Sequence, residues 1–223
     1  MCPGGKAFPM TGPIAADGLM DALSRAQFRR RVIMGLAAAL ATVALLVVRS
    51  SWRLHSPSTY QLIQLAGLTL ILLAIAGRTW CAVHIGGRKK VSLVQNGPYA
   101  LVRHPLYSFS IIGAAGIGAL WGSFVVSIVL ATATAMILKG VTRKEEQFLA
   151  ARFGAEYTTY AAQVGRYIPR RFGWPGDSVA TINRDVALRT FIQSSLFLAG
   201  VPVAALAQWG QLKGVLPILV NLP

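Results

Sequence analysis

The segment from Leu93 to Tyr107 places polar, aromatic and turn-forming residues between two long apolar runs. Its glycine-proline pair rules out a continuous helix, whereas Pro105 suits the first turn of the following helix, where no amide hydrogen is needed. Arg103 and His104 are therefore expected at a helix N-terminus, where free amides and the helix dipole favour an anionic group such as a carboxylate. The alternative is a capped helix start whose arginine reaches toward lipid head groups.

A second polar stretch contains Glu145 and Glu146, and it follows an uncharged run from Pro105 to Leu138. Several glycines interrupt this run, and each half is only just long enough to cross a membrane, which predicts a tight helical hairpin turning near Gly122. An antiparallel hairpin brings the two carboxylates back beside His104. The two carboxylates then belong either to a polar cofactor pocket or to a solvated helix face, where they pair with neighbouring cationic side chains.

Composition identifies a polytopic membrane protein. The chain has 223 residues, of which 54% are hydrophobic and 13% charged, so we predict an all-α membrane helix bundle with about five transmembrane helices. Twenty-two Lys and Arg face seven Asp and Glu, an excess that suits either nucleic acid or the anionic cytoplasmic leaflet. The apolar runs favour membrane lipids, and no nucleic acid partner is expected. Cys2 and Cys81 indicate neither a disulfide framework nor a metal site.

Four parts follow one another along the chain. Residues 1–30 are interpreted as a mobile tail followed by an interfacial helix, and residues 31–85 as the first two transmembrane helices. Residues 86–169 form a core with the polar loop, the hairpin and the helix that carries both glutamates. Residues 170–223 are expected to contain a linker, an extra transmembrane helix over about 186–208 and an apolar tail.

Orientation follows from the positive charges, which concentrate on the cytoplasmic side of membrane proteins. With five spans and a cytoplasmic N-terminus, only Arg49, Arg53 and Lys213 fall outside. Both polar stretches then lie on the cytoplasmic side, where soluble cofactors are available. Arg78 and His84 fall in the last turns of the second span, where each either reaches toward head groups or lines a polar cavity.

The order of motifs carries a resemblance. Leu-Val-x-x-Gly-x-Tyr, Arg-His-Pro-x-Tyr, a hydrophobic hairpin and Glu-Glu-x-x-Leu-x-x-x-Phe-Gly-x-x-Tyr-x-x-Tyr follow one another over roughly residues 91–169. This arrangement closely resembles the isoprenylcysteine carboxyl methyltransferase and phospholipid methyltransferase family of integral membrane enzymes. The resemblance implies S-adenosylmethionine as methyl donor, bound by Ser92, Leu93, Val94, Tyr99, His104, Pro105, Leu106, Tyr107 and Glu145.

The chain departs from the family pattern at three places. Phe109 stands where the family often has glycine, and Val141 stands where the carboxyl methyltransferases have a substrate-binding arginine. The extra span near residues 186–208 goes beyond the core that these enzymes need. The missing arginine argues against a prenylcysteine carboxylate as the substrate.

Methyl transfer from a sulfonium mainly requires donor and acceptor to be held in line and water to be kept out. A proton acceptor is needed only for an amine, thiol or alcohol substrate, and Glu146, His84 and Tyr160 are the candidates. Arg166 is a candidate for binding an anionic head group, or else a surface arginine. Glu146 and Arg166 are therefore the predicted catalytic residues, and a lipophilic acceptor is expected to enter from the bilayer.

Two other functions remain open. A membrane reductase of sterol-reductase-like architecture would use a nicotinamide cofactor without needing a dinucleotide glycine motif. A non-catalytic membrane scaffold would keep the motifs only as a structural hairpin.

Overall fold

The computed structural model describes residues 13–85, 92–170 and 184–223, and most of these residues are helical. The elements in chain order are α1 (Pro13–Leu46), β1 (Val48–Ser50), α2 (Trp52–His55), α3 (Pro57–Ile85), α4 (Pro98–Leu101), α5 (Pro105–Leu120), α6 (Phe124–Phe153), α7 (Ala155–Gln163), α8 (Arg184–Ser195), a 3-10 turn (Leu196–Ala199), α9 (Gly200–Leu212) and β2 (Val220–Leu222). Most of the predicted tail and of the predicted linker lies outside the described residues.

The predicted hairpin is present as α5 and α6. Helix α5 ends at Leu120, Gly122 turns the chain with a φ of 72°, and α6 begins at Phe124. The Ser123 side chain caps α6 by accepting a hydrogen bond from the Val126 amide at 3.2 Å, which satisfies one of the free amides of the first turn. The hairpin prediction and its turn position are therefore confirmed.

Helix α3 packs closely against α5, which packs in turn against α6. A Cβ atom at Gly67 of α3 would lie 2.7 Å from the Leu120 amide nitrogen and 2.8 Å from the Gly116 carbonyl oxygen of α5. Only glycine allows the two backbones to approach so closely. Helix α8 packs against α3, and α1 packs against α6.

A short parallel strand pair was not expected from the sequence. Val48 of β1 pairs with Val220 of β2, and the Ser51 amide donates to the Leu222 carbonyl at 2.9 Å. Three-residue strands leave too little alternation in the sequence to be recognised. The pair lies at the same end of the bundle as the α5–α6 turn, where Leu45, Trp121, Val126, Ala204 and Ala207 form a buried apolar cluster.

Three helical segments in the described part of the chain are long and apolar enough to cross a membrane, and they are Pro57–Ile85, Phe124–Phe153 and Arg184–Leu212. Val32–Leu46 and Pro105–Leu120 are shorter apolar helices. With 16 residues, α5 is about 24 Å long, less than the hydrocarbon thickness of about 30 Å. The interfacial helix and first span predicted from the sequence form one continuous helix, α1. The number of five spans stays a prediction.

Candidate active site

A cavity of about 580 Å³ opens between α3, α5, α6 and α8, and the segment before α4 closes one side of it. All nine residues predicted to hold a cofactor line it, namely Ser92, Leu93, Val94, Tyr99, His104, Pro105, Leu106, Tyr107 and Glu145. The hairpin brings these residues together although they are far apart in the sequence, because α6 returns to the level at which α5 begins. The structure thus collects both polar stretches around one space, as the antiparallel hairpin predicts.

The start of α5 is fixed by a backbone pairing with the segment that follows α7. Val102 forms a parallel bridge with Gly165, the Arg103 amide donates to the Gly165 carbonyl at 2.8 Å, and the His104 amide donates to the Arg166 carbonyl at 3.1 Å. Pro105 then begins the helix without needing a hydrogen-bond acceptor. The pairing holds His104 at the mouth of the hairpin and brings Arg166 beside it.

Glu145 is the carboxylate that faces the cavity. The Tyr107 hydroxyl donates to its Oε2 at 2.8 Å, and the His104 Nδ1 atom lies 3.8 Å from the same oxygen. The His104 and Tyr107 rings stack with centroids 5.6 Å apart. Both groups therefore hold the Glu145 carboxylate in one place, where a ligand with ammonium or hydroxyl groups finds a fixed acceptor.

Glu146 faces a different set of neighbours. Its carboxylate lies 3.1 Å from Arg103 Nη1 and 3.3 Å from His104 Nε2. Arg166 also donates to it, from Nε at 2.9 Å and from Nη2. The hydrogen bond with Glu146 raises the pKa of the Arg166 guanidinium, so this group stays charged. Glu146 and Arg166, both predicted as catalytic residues, thus bind each other and do not line the cavity.

Tyr99 tests whether the cavity suits a polar cofactor. Its side chain lines the cavity, and within the described part of the chain its buried hydroxyl has no hydrogen-bond partner. Burial raises the pKa of Tyr99 well above its usual range, so the hydroxyl remains a neutral donor. A buried donor without a partner is costly unless a ligand accepts from it, which fits a ligand rich in oxygen and nitrogen.

The two other candidates for a proton acceptor differ in position. Tyr160 lines the cavity, but its hydroxyl donates to the Tyr99 carbonyl at 2.6 Å, and burial raises its pKa. A neutral hydroxyl engaged as a donor is poorly suited to accept a proton. The His84 Nδ1 atom lies 3.0 Å from the Trp80 carbonyl. The His84 ring packs against Gly97 and is not among the cavity-lining residues.

The structure adds residues that the motifs did not indicate. Arg78 of α3 lines the cavity, which favours the second of the two interpretations of this residue, and so do Gln193, Leu196 and Phe197 from the extra C-terminal helix. For Arg78, the available signal was an arginine near the end of an apolar run. The apolar pattern of α8 gave no signal for Gln193, Leu196 and Phe197. Within the described residues, no group of three or more His, Cys, Asp or Glu side chains is placed to hold a metal ion.

Known proteins are similar to this chain over much of its length. The family model for phospholipid methyltransferases matches residues 52–156. The chain is 35% identical over 187 residues to the cobalt-zinc-cadmium resistance protein CzcN of Cupriavidus metallidurans, covering 83% of this chain and 85% of that protein. It is 33% identical over 163 residues to the nickel-cobalt-cadmium resistance protein NccN of Alcaligenes xylosoxydans xylosoxydans, covering 70% and 73%. No solved structure matches the chain significantly.

Proposed function

Because the chain belongs to the phospholipid methyltransferase family, we propose that it is an S-adenosylmethionine-dependent membrane methyltransferase acting on a lipophilic small molecule, a prenylated compound or a lipid head group. The observation that carries this proposal is the convergence of nine motif residues on one cavity, with the Glu145 carboxylate held by Tyr107 and His104. The positive charges of the chain further support a cytoplasmic position for this cavity.

The cavity offers matching chemistry for each part of the cofactor. Glu145 would accept hydrogen bonds from the ribose hydroxyls or the ammonium group, and the Tyr99 hydroxyl would donate to an acceptor atom. Leu93, Val94 and Leu149 line the cavity and provide an apolar wall suited to adenine. The cofactor supplies an electrophilic methyl group on a positively charged sulfur.

The protein's own contribution to the reaction is positioning and exclusion of water. Holding two reactants at near-attack distance lowers the barrier by about 7 to 11 kcal/mol in favourable intramolecular models. The ion pairs of Glu146 with Arg103 and Arg166 tie the end of α6 to the start of α5 and to the segment after α7. We assign to Glu146 and Arg166 the support of this arrangement, and the catalytic roles expected from the sequence stay a prediction.

The lipophilic acceptor is proposed to reach the cavity from the bilayer. Leu196 lines the cavity although the residue is 72% exposed, and it lies on a helical segment that is long and apolar enough to cross the membrane. An exposed apolar residue at the cavity wall gives an acyl or prenyl chain a continuous apolar surface. A substrate that is soluble in water has no need of such a surface.

The experiment is a titration of the purified protein with S-adenosylhomocysteine, which keeps every recognition group of the cofactor except the methyl. We expect the wild type to bind it and Glu145→Ala and His104→Ala to weaken binding at least about tenfold, because each removes a charged or hydrogen-bonding group. The matched control is Glu156→Gln, since Glu156 is an exposed carboxylate on α7 that bonds Gln95. Unchanged affinity in folded Glu145→Ala protein would contradict the site.

The same titration separates the other two functions. Binding of a reduced nicotinamide in place of S-adenosylhomocysteine would identify the reductase, and binding of neither would identify the scaffold. Transfer of labelled methyl groups from S-adenosylmethionine into a lipid extract, followed by mass spectrometry of the labelled product, would identify the acceptor.

The relatives CzcN and NccN are named for resistance to metal ions, and we propose that methylation of a membrane component by this chain serves the same purpose. Expression in a cobalt-sensitive host is expected to raise cobalt tolerance for the wild type but not for Glu145→Ala at equal protein levels. Equal tolerance in both strains would separate the resistance role from methyl transfer.

A further inference from the structure

Tyr167 lies close to the residues proposed to hold the methyl donor, although it is not one of the residues that line the cavity. It belongs to the segment after α7 whose backbone pairs with the start of α5. The family model ends at residue 156, so this tyrosine lies outside the matched core. Any role that Tyr167 has at the site is therefore exerted through the residues that it contacts.

Tyr167 is held at three points by elements that carry residues of the site. Its carbonyl accepts a hydrogen bond from the Ser108 hydroxyl of α5 at 2.9 Å. Its hydroxyl lies 2.6 Å from the Thr142 hydroxyl of α6, and its ring lies 6.2 Å from the His104 ring, measured between centroids. One residue thus joins both helices of the hairpin and the histidine at the start of α5.

The direction of the hydrogen bond between the two hydroxyls follows from the protons available. Thr142 Oγ1 donates its only proton to the Leu138 carbonyl at 2.9 Å, so it accepts the proton of the Tyr167 hydroxyl. Thr142 is fully buried, which prevents water from replacing the tyrosine as its partner. The hydroxyl of Tyr167 is therefore specifically bonded to α6.

The two hydrogen-bonding partners lie beside residues of the proposed donor site. Ser108 follows Tyr107 directly, and Thr142 lies three residues before Glu145, which is almost one helical turn. The Tyr107 hydroxyl donates to the Glu145 carboxylate at 2.8 Å, and this bond requires a fixed distance between α5 and α6. A side chain that joins the two helices at this level maintains that distance.

Resting on the proposed function, we infer that Tyr167 is a positioning residue of the methyl-donor site, which fixes the His104 imidazole and the hydrogen bond between Tyr107 and Glu145. The imidazole is buried, and the rings of both tyrosines pack against it. Two ring contacts restrict its rotation, so its Nδ1 atom stays 3.8 Å from the Glu145 carboxylate. Tyr167 acts on the donor only through these three residues.

The test is a titration of the full chain in phosphatidylcholine nanodiscs with S-adenosylhomocysteine. Tyr167→Phe keeps the ring and removes the bond to Thr142, and we expect it to weaken binding about fivefold, as the loss of one neutral hydrogen bond predicts. Thr142→Val removes the same bond from the other side and should have a similar effect. The double variant should bind no more weakly than either single variant, because both substitutions remove one interaction.

Two further variants serve as rescue and control. Thr142→Ser keeps the hydroxyl and should bind S-adenosylhomocysteine within about twofold of the wild type. Thr69→Val removes an exposed threonine hydroxyl of α3 that donates to the Leu65 carbonyl of its own helix, and it should leave the affinity unchanged.

Nuclear magnetic resonance of protein labelled with 15N-histidine separates positioning from general stability. The chain has three histidines, His55, His84 and His104, and the signals of His104 are identified by their loss in His104→Ala. We expect Tyr167→Phe to shift the His104 ring signals and to leave those of the other two histidines unchanged. A purely structural role would lower the melting temperature without changing the His104 signals or the affinity, and the inference would be wrong.

The outcomes distinguish this inference from the proposed function. Equal affinity of the wild type and Tyr167→Phe would overturn the inference and leave the proposed function standing. Weaker binding without any shift of the His104 signals would also overturn it, because the effect would then take another route. Wild-type protein that does not bind S-adenosylhomocysteine would defeat the proposed function, and the His104 signals would then decide by themselves whether Tyr167 positions the imidazole.

Discussion

Glu145 and Glu146 are neighbours in the sequence but have different environments. Successive residues of an α-helix point about 100° apart, so Glu145 faces the cavity while Glu146 faces Arg103 and Arg166. The sequence predicts that both lie near His104, which the structure shows. Which of the two carboxylates meets a ligand depends on the rotation of α6 about its axis. The family resemblance indicated Glu145, whereas the charge pattern alone did not distinguish Glu145 from Glu146.

Gly97 supports the cavity from the segment before α4. Its φ of 60° and ψ of −134° belong to a region used essentially by glycine, and an added Cβ would collide with the His84 ring. We expect Gly97→Ala to lower the free energy of unfolding by about 1 to 3 kcal/mol and to weaken S-adenosylhomocysteine binding, since Tyr99 follows two residues later. Thermal unfolding in detergent and the ligand titration measure the two effects.

Gly140 provides the control for that substitution. It lies inside α6, and a Cβ built there meets no atom within 4 Å. Gly140→Ala is therefore expected to stabilise the helix, by about 0.5 to 1 kcal/mol. Equal melting temperatures for Gly97→Ala and the wild type would show that the loop tolerates a side chain there.

At the level of the elements, the sequence predicts where the helices lie in the chain better than it predicts which helices pack against each other. The uncharged run with a glycine near its middle is sufficient to predict the α5–α6 hairpin, because a turn-rich segment precedes the run and charged residues follow it. The extra C-terminal helix was predicted as a span without a role, although it supplies Gln193, Leu196 and Phe197 to the cavity. Apolar composition indicates that a helix is buried in lipid or protein but does not specify which helix it packs against.

The contact between α3 and α5 depends on glycine at two facing positions. A Cβ at Gly116 would lie 2.8 Å from the Gly67 carbonyl oxygen and 2.9 Å from Ile71 Cγ1. We expect Gly116→Val to force the helices apart and to cost about 1 to 3 kcal/mol, as overpacking typically does. The same separation would displace Arg78 from Leu106 and Ser110, which line the cavity with it, and should weaken S-adenosylhomocysteine binding.

Gly35→Val tests whether any added valine has this effect. Gly35 lies on α1 with no atom within 4 Å of a built Cβ, so its substitution is expected to leave the melting temperature close to that of the wild type. A loss of stability as large as that of Gly116→Val would attribute the effect to helix propensity and not to the contact between α3 and α5.

The whole molecule has two chemically different ends. One end holds the β1–β2 pair and the turn at Gly122, and the other holds the cavity and the charged part of α6. The arrangement agrees with the positions that charge counting assigned to the two sides. The sidedness is a prediction from the distribution of Lys and Arg.

Labelling with a membrane-impermeant maleimide tests that sidedness. In a Cys2→Ser background, whose other native cysteine Cys81 is buried, single cysteines replace two exposed residues, Ser58 at the start of α3 and Glu156 on α7. We expect Ser58→Cys to react in intact cells and Glu156→Cys to react only after the membrane is opened. The opposite pattern would place the cavity outside the cell, away from the methyl donor.

The segment that completes the cavity wall, α8 with its 3-10 turn, lies beyond the family match at residues 52–156. The residues predicted to hold the methyl donor lie within that match, whereas Gln193, Leu196 and Phe197 lie outside it. Substitutions in the C-terminal helix would therefore reshape one wall of the cavity while leaving the matched core unchanged.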